Sequence, residues 1–391
     1  MTTALVTAAA AVAVLIWVWL MALRGGFWRA DVRLPERVDE LGRWPVVTAV
    51  IPARNEAETV GRAVTSLLRQ DYPGDLDIVV VDDGSDDGTA DHVAAAAAGS
   101  ERVHLVAGAP LPAGWVGKMW AVAQGIDHAE RVRPESRYLL LTDADIEHAP
   151  ASLRRLVGKA ESEGRLLVSL MVLLSARHFW ERLLIPAFVF FFQKLYPFRW
   201  VNDPAKPTAA AAGGCMLVNR QALDAIGGIA AVRGELIDDC ALARRIKARG
   251  PIWLGLATDT RSLRHYPGLA GLWDMVARTA YTQLGYSPLA LLGTVAGMTL
   301  TYLAAPLAVA CGISTGSVAP ALLGVTAWAL MVVAARPTLA LYRLTGWWGV
   351  LLPFAALLFT LMTLDSARRH GQGRGGTWKG RSYGTIGAGQ P

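Results

Sequence analysis

Three short runs of aliphatic and β-branched residues each end in a polar tip rich in carboxylates, and this recurrence most limits the folds open to the chain. The runs are 46–51, followed by Pro52-Ala53-Arg54-Asn55-Glu56; 76–81, followed by Asp82-Asp83-Gly84-Ser85; and 138–141, followed by Thr142-Asp143-Ala144-Asp145. Runs that stay apolar instead of alternating suit strands buried on both faces. Between them the spacing predicts helices, with Val60, Val64, Leu67 and Leu68 on one stripe of 57–70 and another helix over 118–129. The alanine-rich stretch 90–98 adds helix propensity, and 103–106 reads as a further strand. Alternating strands and helices predict a Rossmann-like α/β domain whose mostly parallel sheet binds ligands beyond the carboxyl ends of its strands. Glu56, Asp83, Asp143 and Asp145 all fall at those ends.

Asp143 and Asp145 alternate, so on an extended segment they share one side. Hard oxygens at that spacing suit Mg²⁺ or Mn²⁺. An Asp-x-Asp triplet alone is also what a solvated strand-end turn looks like, and the matching tips at Glu56 and Asp83 favour the site over the turn. Farther along, Gly213-Gly214 reads as a tight turn into a strand. Asp238-Asp239 opens a basic helix that stops at Gly250-Pro251. That acidic pair is either chemistry or the favourable charge of a helix N-terminus. Lys118, beside glycines at a helix start, is placed to meet an anion, with an ordinary solvated lysine as the alternative. His265, next to Tyr266-Pro267, is a candidate metal or acceptor contact, or a structural histidine.

Hydrophobic residues make up 53% of the 391 residues, and the excess sits at the two ends. Blocks 1–23, 289–311, 318–335 and 347–364 each approach the ~20 residues that cross a bilayer as a helix. Positive charge follows the first block instead of preceding it, which reads as a retained anchor with its N-terminus outside. The net charge of +6 gathers beside these blocks, at Arg24, Arg29, Arg33 and Arg37 and at Arg368, Arg369, Arg374, Lys379 and Arg381. Bases so placed indicate orientation at a membrane, with the middle domain cytoplasmic at the cell inner membrane, and no nucleic-acid partner. Three crossings after that domain would leave the basic tail outside, so either one later block is re-entrant or the tail breaks the positive-inside rule; a tail held on the cytoplasmic side is the expectation. The aromatic segment 179–200, interrupted by Pro186, reads as an interfacial helix, with a buried helix as the alternative. Three scattered cysteines, Cys215, Cys240 and Cys311, support neither a zinc site nor a disulfide framework. The expected layout is a transmembrane anchor at 1–24, a linker at 25–45, a catalytic domain at 46–275, a membrane domain at 276–365 and a basic cytoplasmic tail at 366–391.

With those residues in place, 46–250 resembles the family 2 glycosyltransferases of GT-A type, through the Pro52 to Glu56 tip, Asp82-Asp83-Gly84-Ser85, Asp143-Ala144-Asp145 and Asp238-Asp239. More narrowly, Leu111-Pro112-Ala113-Gly114-Trp115-Val116-Gly117-Lys118, the segments around Arg278 to Gln283 and Tyr286-Ser287-Pro288, and Trp378-Lys379-Gly380-Arg381 resemble the hopene-associated glycosyltransferases. The resemblance implies a nucleotide-sugar donor, with Pro52, Arg54, Glu56, Asp83, Lys118 and Asp143 around it, and Mg²⁺ or Mn²⁺ on Asp145 and Asp143. It implies inverting transfer with Asp239 as base, and a membrane-borne lipid acceptor, hopanoid by the narrower likeness and polyprenyl phosphate or another lipid otherwise. The family pair is usually Glu-Asp; Asp-Asp here makes Asp238 a rival base. Gly214, His265, Arg278 and Gln283 are the acceptor-side candidates. The Gln-x-x-Arg-Trp motif of processive relatives is missing, which favours transfer of a single sugar. An inactive membrane scaffold with the same fold is the alternative outside enzymes.

Overall fold

The structure, a computed structural model, describes residues 2–374 and the backbone of 377–378 and 381–382. Two compact units make up its main part: 32–175 with 200–265, and 2–31 with 176–199 and 266–374.

The first unit is built on one eight-stranded sheet: β1 Val47–Ala53, β2 Leu76–Asp82, β3 Val103–Ala107, β4 Tyr138–Thr142, β5 Ile146–Glu147, β6 Leu167–Leu173, β7 Cys215–Asn219 and β8 Ile252–Ser262. Their order is β3-β2-β1-β4-β7-β6-β8-β5. The expected parallel arrangement holds for β3-β2-β1-β4 and for β6-β8. β7 runs antiparallel to both β4 and β6, and β5 antiparallel to β8, so the sheet is mixed. Every residue of β1 and β4 is buried, as unalternated apolar runs require. Polar residues in this core are paired, Thr48 Oγ1 lying 2.7 Å from Ser136 Oγ.

Register decides what meets at the carboxyl ends. Ala53 is opposite Asp82, which sets the Arg54 and Asp83 tips side by side. β1 runs two residues farther than its apolar pattern indicates, through Pro52. Its pairing with β4 ends at Val50 opposite Leu141, so the N–H that Pro52 lacks is not missed on that side. Because β7 runs the other way, its first residue Cys215 is opposite Thr142, and the glycines just before it arrive beside Asp143. Ile146 of β5 pairs with Ser262 at the end of β8, bringing Arg264 toward Asp145.

The second unit is helical. Four of its helices are long and apolar enough to cross a membrane: Thr3–Leu23, Pro288–Thr315, Val318–Leu341 and Gly346–Gly371. Their outward side chains are apolar too, with Leu5, Leu289, Ile313 and Val318 more than 70% exposed. The aromatic segment forms a helix, Phe179–Leu195, carrying Pro186 within it. Its inner face is buried inside this unit, Phe190 against Trp17 and Phe27, and Gln193 donating to Thr338. That matches the buried alternative on one side of the helix, while Phe179 and Leu195 remain exposed. The expected basic tail begins inside the last helix, Leu352–Gly371. Residues 375–376, 379–380 and 383–391 of it lie outside the described residues.

The helix Gly117–Val132 lies on β1 and β2, and a Cβ at Gly125 would collide with Val50 and touch Val81 at 3.2 Å. Gly125→Leu is therefore expected to destabilise the α/β unit by about 1–3 kcal/mol, the usual cost of overpacking. Thermal or denaturant unfolding of the variant checks this.

Candidate functional site

Several loop regions converge beyond the carboxyl ends of the strands. The β1 and β2 tips are zipped together: Asn55 N–H donates to Ser85 Oγ at 2.9 Å, Asp86 N–H to Asn55 Oδ1 at 3.1 Å, and Glu56 N–H to Thr89 Oγ1 at 2.9 Å. Asn55 takes a left-handed φ of 51° to make this turn, a conformation asparagine tolerates better than most residues. Arg54 Nη1 donates to the carbonyl oxygens of Asp83 and Gly84 and stands 3.8 Å from Asp83 Oδ2. Asp83 is buried, at 1% exposure. Asp82 instead accepts from Ser85 N–H at 3.1 Å, so it shapes the loop, the role its position suggests.

Lys118 is no solvated lysine. It enters at the second residue of its helix, and its Nζ lies 2.8 Å from Asp143 Oδ1 and 3.8 Å from Asp238 Oδ2. Burial pulls an ammonium's pKa down, but Asp143, Asp238 and Asp239 outweigh it and raise that of Lys118. Asp143 is likewise raised, by burial first; Lys118 opposes this and neighbouring Asp145 adds to it. Asp239 is anchored through both oxygens, Oδ2 accepting from Gly213 N–H at 2.9 Å and Oδ1 from Cys240 N–H at 2.7 Å. Burial and then the charge of Asp238 lift it to about 6, against the pull of Lys118. Asp238 Oδ2 is buried and makes no hydrogen bond among the described residues. Pro52, Lys118, Asp143, Gly213 and Asp238 line one small cavity here.

Not every candidate from the sequence faces this cavity. Gly214 packs tightly, a Cβ there meeting Ile146 and Val172 at 3.3 and 3.4 Å, and its carbonyl accepts from Thr142 Oγ1. Its neighbour Gly213 is the residue whose Cβ would stand 3.4 Å from both Lys118 Nζ and Asp239 Oδ2. His265 is exposed, with Nδ1 2.9 Å from Ser175 Oγ. Arg278 and Gln283 belong to the helical unit, where Arg278 caps the helix Leu269–Ala277 and Gln283 Nε2 donates to Tyr196 Oη at 2.8 Å. A residue that sequence reasoning passed over, Arg264, bridges Asp145 Oδ2 at 3.0 Å and Glu56 Oε1 at 2.7 Å. Nothing in the local sequence marks it, because 208 residues separate it from Glu56.

Among the described residues, no group of three or more His, Cys, Asp or Glu is gathered to hold a metal by itself. Asp143 and Asp145 still fit one kind of cation site. Two hard carboxylates are what Mg²⁺ takes from a protein when substrate phosphates supply further ligands.

Residues 48–227 match the family described as Glycosyl transferase family 2. The 4,4'-diaponeurosporenoate glycosyltransferase of Staphylococcus aureus (strain MRSA252) is 36% identical over 100 residues, 26% of this chain and 24% of that protein. The chain thus spans about a quarter of the length of the curated relatives it matches. The solved mannosyltransferase PcManGT from Pyrobaculum calidifontis, in complex with GDP-Man and Mn²⁺, is similar at a TM-score of 0.54 and 21% identity, covering 92% of this chain and 97% of that one. At that identity the likeness shows the fold, which is GT-A.

Removing Lys118 would leave Asp143, Asp238 and Asp239 repelling one another. Lys118→Met is expected to lower unfolding stability by about 3 kcal/mol, the low end for a broken buried pair, since these side chains keep some exposure. Adding Asp143→Asn should recover part of that loss. Melting of the ligand-free variants decides, and a shift within about 0.5 kcal/mol would mean a surface lysine.

Proposed function

From a family 2 glycosyltransferase domain on a GT-A fold, we propose that this protein transfers one sugar, with inversion, from a nucleotide-sugar donor to a lipid acceptor at a membrane. The observation that carries the reading is the meeting of Lys118 with carboxylates from two distant segments, Asp143 at 2.8 Å and Asp238 at 3.8 Å, at the strand ends where such sheets bind ligands.

Arg54 and Asp83, fixed against each other by the zipped tips, bind the nucleoside, with Pro52 and Glu56 beside them. Asp145 and Asp143 would hold Mg²⁺ or Mn²⁺, which offsets the charge that develops on the leaving diphosphate. Asp239 takes the proton of the acceptor hydroxyl as that oxygen attacks the anomeric carbon. Its two backbone hydrogen bonds fix its direction while each oxygen keeps a lone pair for the incoming proton. Asp238 has a specific observation in its favour as the rival base, because its buried Oδ2 is not committed to any hydrogen bond among the described residues.

Four long helices with apolar outer faces support a membrane location and a greasy acceptor. Arginines after the first helix favour a cytoplasmic catalytic domain at the inner membrane. With the tail also cytoplasmic, one of the three later helices would enter and leave on the same side. A relative named for glycosylating diaponeurosporenoate supports a lipid acceptor, and the hopanoid follows from sequence resemblance. Polyprenyl phosphate is the alternative acceptor. A scaffold that keeps the fold without the reaction is disfavoured by so complete a set of buried and half-buried carboxylates. A donor screen on purified protein with a hopanoid alcohol tests the proposal, and no metal-dependent binding of any nucleotide sugar would leave the scaffold standing.

A general base works only as the carboxylate. With Asp239 at about 6, turnover is expected to be flat above that pH and to fall about tenfold per unit below it. Asp239→Asn should lower kcat by about 10²–10⁴-fold, abolish that acid limb and leave donor binding intact. Were Asp238→Asn to do this instead, the roles of the pair would be exchanged.

A further inference from the structure

Arg264 has no part in the reaction as described, yet its guanidinium holds Oδ2 of the carboxylate expected to meet the metal. Nε donates to Asp145 Oδ2 at 3.0 Å while Nη2 donates to Glu56 Oε1 at 2.7 Å. The backbone builds this arrangement. Ile146 pairs with Ser262, Leu263 N–H donates to the Asp145 carbonyl at 2.7 Å, and Arg264 N–H donates to Ser262 Oγ at 3.2 Å. Ser262 Oγ in turn donates to the same Asp145 Oδ2 at 3.1 Å. On the other side Glu56 Oε2 accepts from Thr59 Oγ1 at 3.1 Å, so both anchors of the guanidinium are themselves held.

A guanidinium and a divalent ion cannot share one carboxylate oxygen without strong repulsion between like charges. The same guanidinium is a preferred partner for phosphate, whose oxygens match its fork. We propose that Arg264 is a latch: without donor it occupies Asp145 and Glu56 and opposes the metal, and an arriving diphosphate draws it off, so that cation and nucleotide bind together. Metal alone then binds poorly. This inference rests on the donor site described above and assigns Arg264 a positioning role within it.

The test is Mn²⁺ binding to the full-length protein in detergent, followed by loss of the electron paramagnetic resonance signal of the free ion, alone and with GDP or UDP. In the wild type, either diphosphate should tighten Mn²⁺ binding by about tenfold or more. In Arg264→Gln, Mn²⁺ alone should bind about tenfold tighter than in the wild type, as expected on removing a neighbouring positive charge, and the diphosphate should add less. Arg264→Lys, which keeps the charge but cannot span both carboxylates, should fall between. If Arg264→Gln does not fold, Arg264→Lys decides the matter, because it loses the fork that holds Asp145 Oδ2 while keeping a charge at the position. The latch is overturned if neither variant binds Mn²⁺ alone more tightly while the wild type responds to diphosphate. A wild type that binds no Mn²⁺ with either diphosphate fails earlier, at the donor site itself, and takes the latch with it.

Discussion

One ammonium group among mutually repelling carboxylates is the constraint on which the site depends. Asp143 arrives from the end of β4, Asp238 and Asp239 from the start of a helix almost a hundred residues later, and in a partly buried cleft their charges oppose assembly. Lys118 makes the gathering tolerable, 2.8 Å from one and 3.8 Å from another. The compensation is incomplete: burial first, and the neighbouring carboxylates after it, still raise the pKa of Asp143 and Asp239 against the pull of Lys118. Carboxylates in such surroundings are poised to accept a cation or a proton, as the proposed transfer from a diphosphate donor would require.

A second cation does a similar job nearby. Arg264 ties the β1 tip to Asp145, while Lys118 ties Asp143 to the acidic pair. The ligand-free cleft thus already contains positive charge where a metal and a diphosphate would bring opposite charges of their own. The antiparallel strands make this possible. β7 delivers Gly213 to Asp239 because, running antiparallel, it starts where β4 finishes, and the short β5 delivers the end of β8 to Asp145.

Much of the frame was legible in order along the chain. Unalternated apolar runs marked β1, β2 and β4, and polar tips following them marked the edge that carries the candidate site. Four apolar blocks marked the four long helices. Other features were not legible, for physical reasons that differ. The strand direction of β7 leaves no trace in a five-residue apolar run, since parallel and antiparallel strands bury the same side chains. Gly213 and Gly214 look alike in sequence, and only the packing of Ile146 and Val172 against one of them separates their roles. The aromatic helix 179–195 carries apolar residues on most of its surface, and such a surface suits a lipid boundary and a protein interior equally.

What the sequence determined by itself was the alternation of buried strands and helices, the edge of the sheet expected to bind ligands and the acidic residues delivered there, because hydrophobic period and strand-end polarity are local properties. What only the tertiary structure decided was the pairing of charges: that Lys118 neutralises Asp143 and Asp238 instead of facing solvent, that Arg264 spans Glu56 and Asp145, and that Gly213 orients Asp239. Coulomb energies act through space between residues that share no local pattern, so the partners become known only when the chain has brought them within a few ångströms of each other.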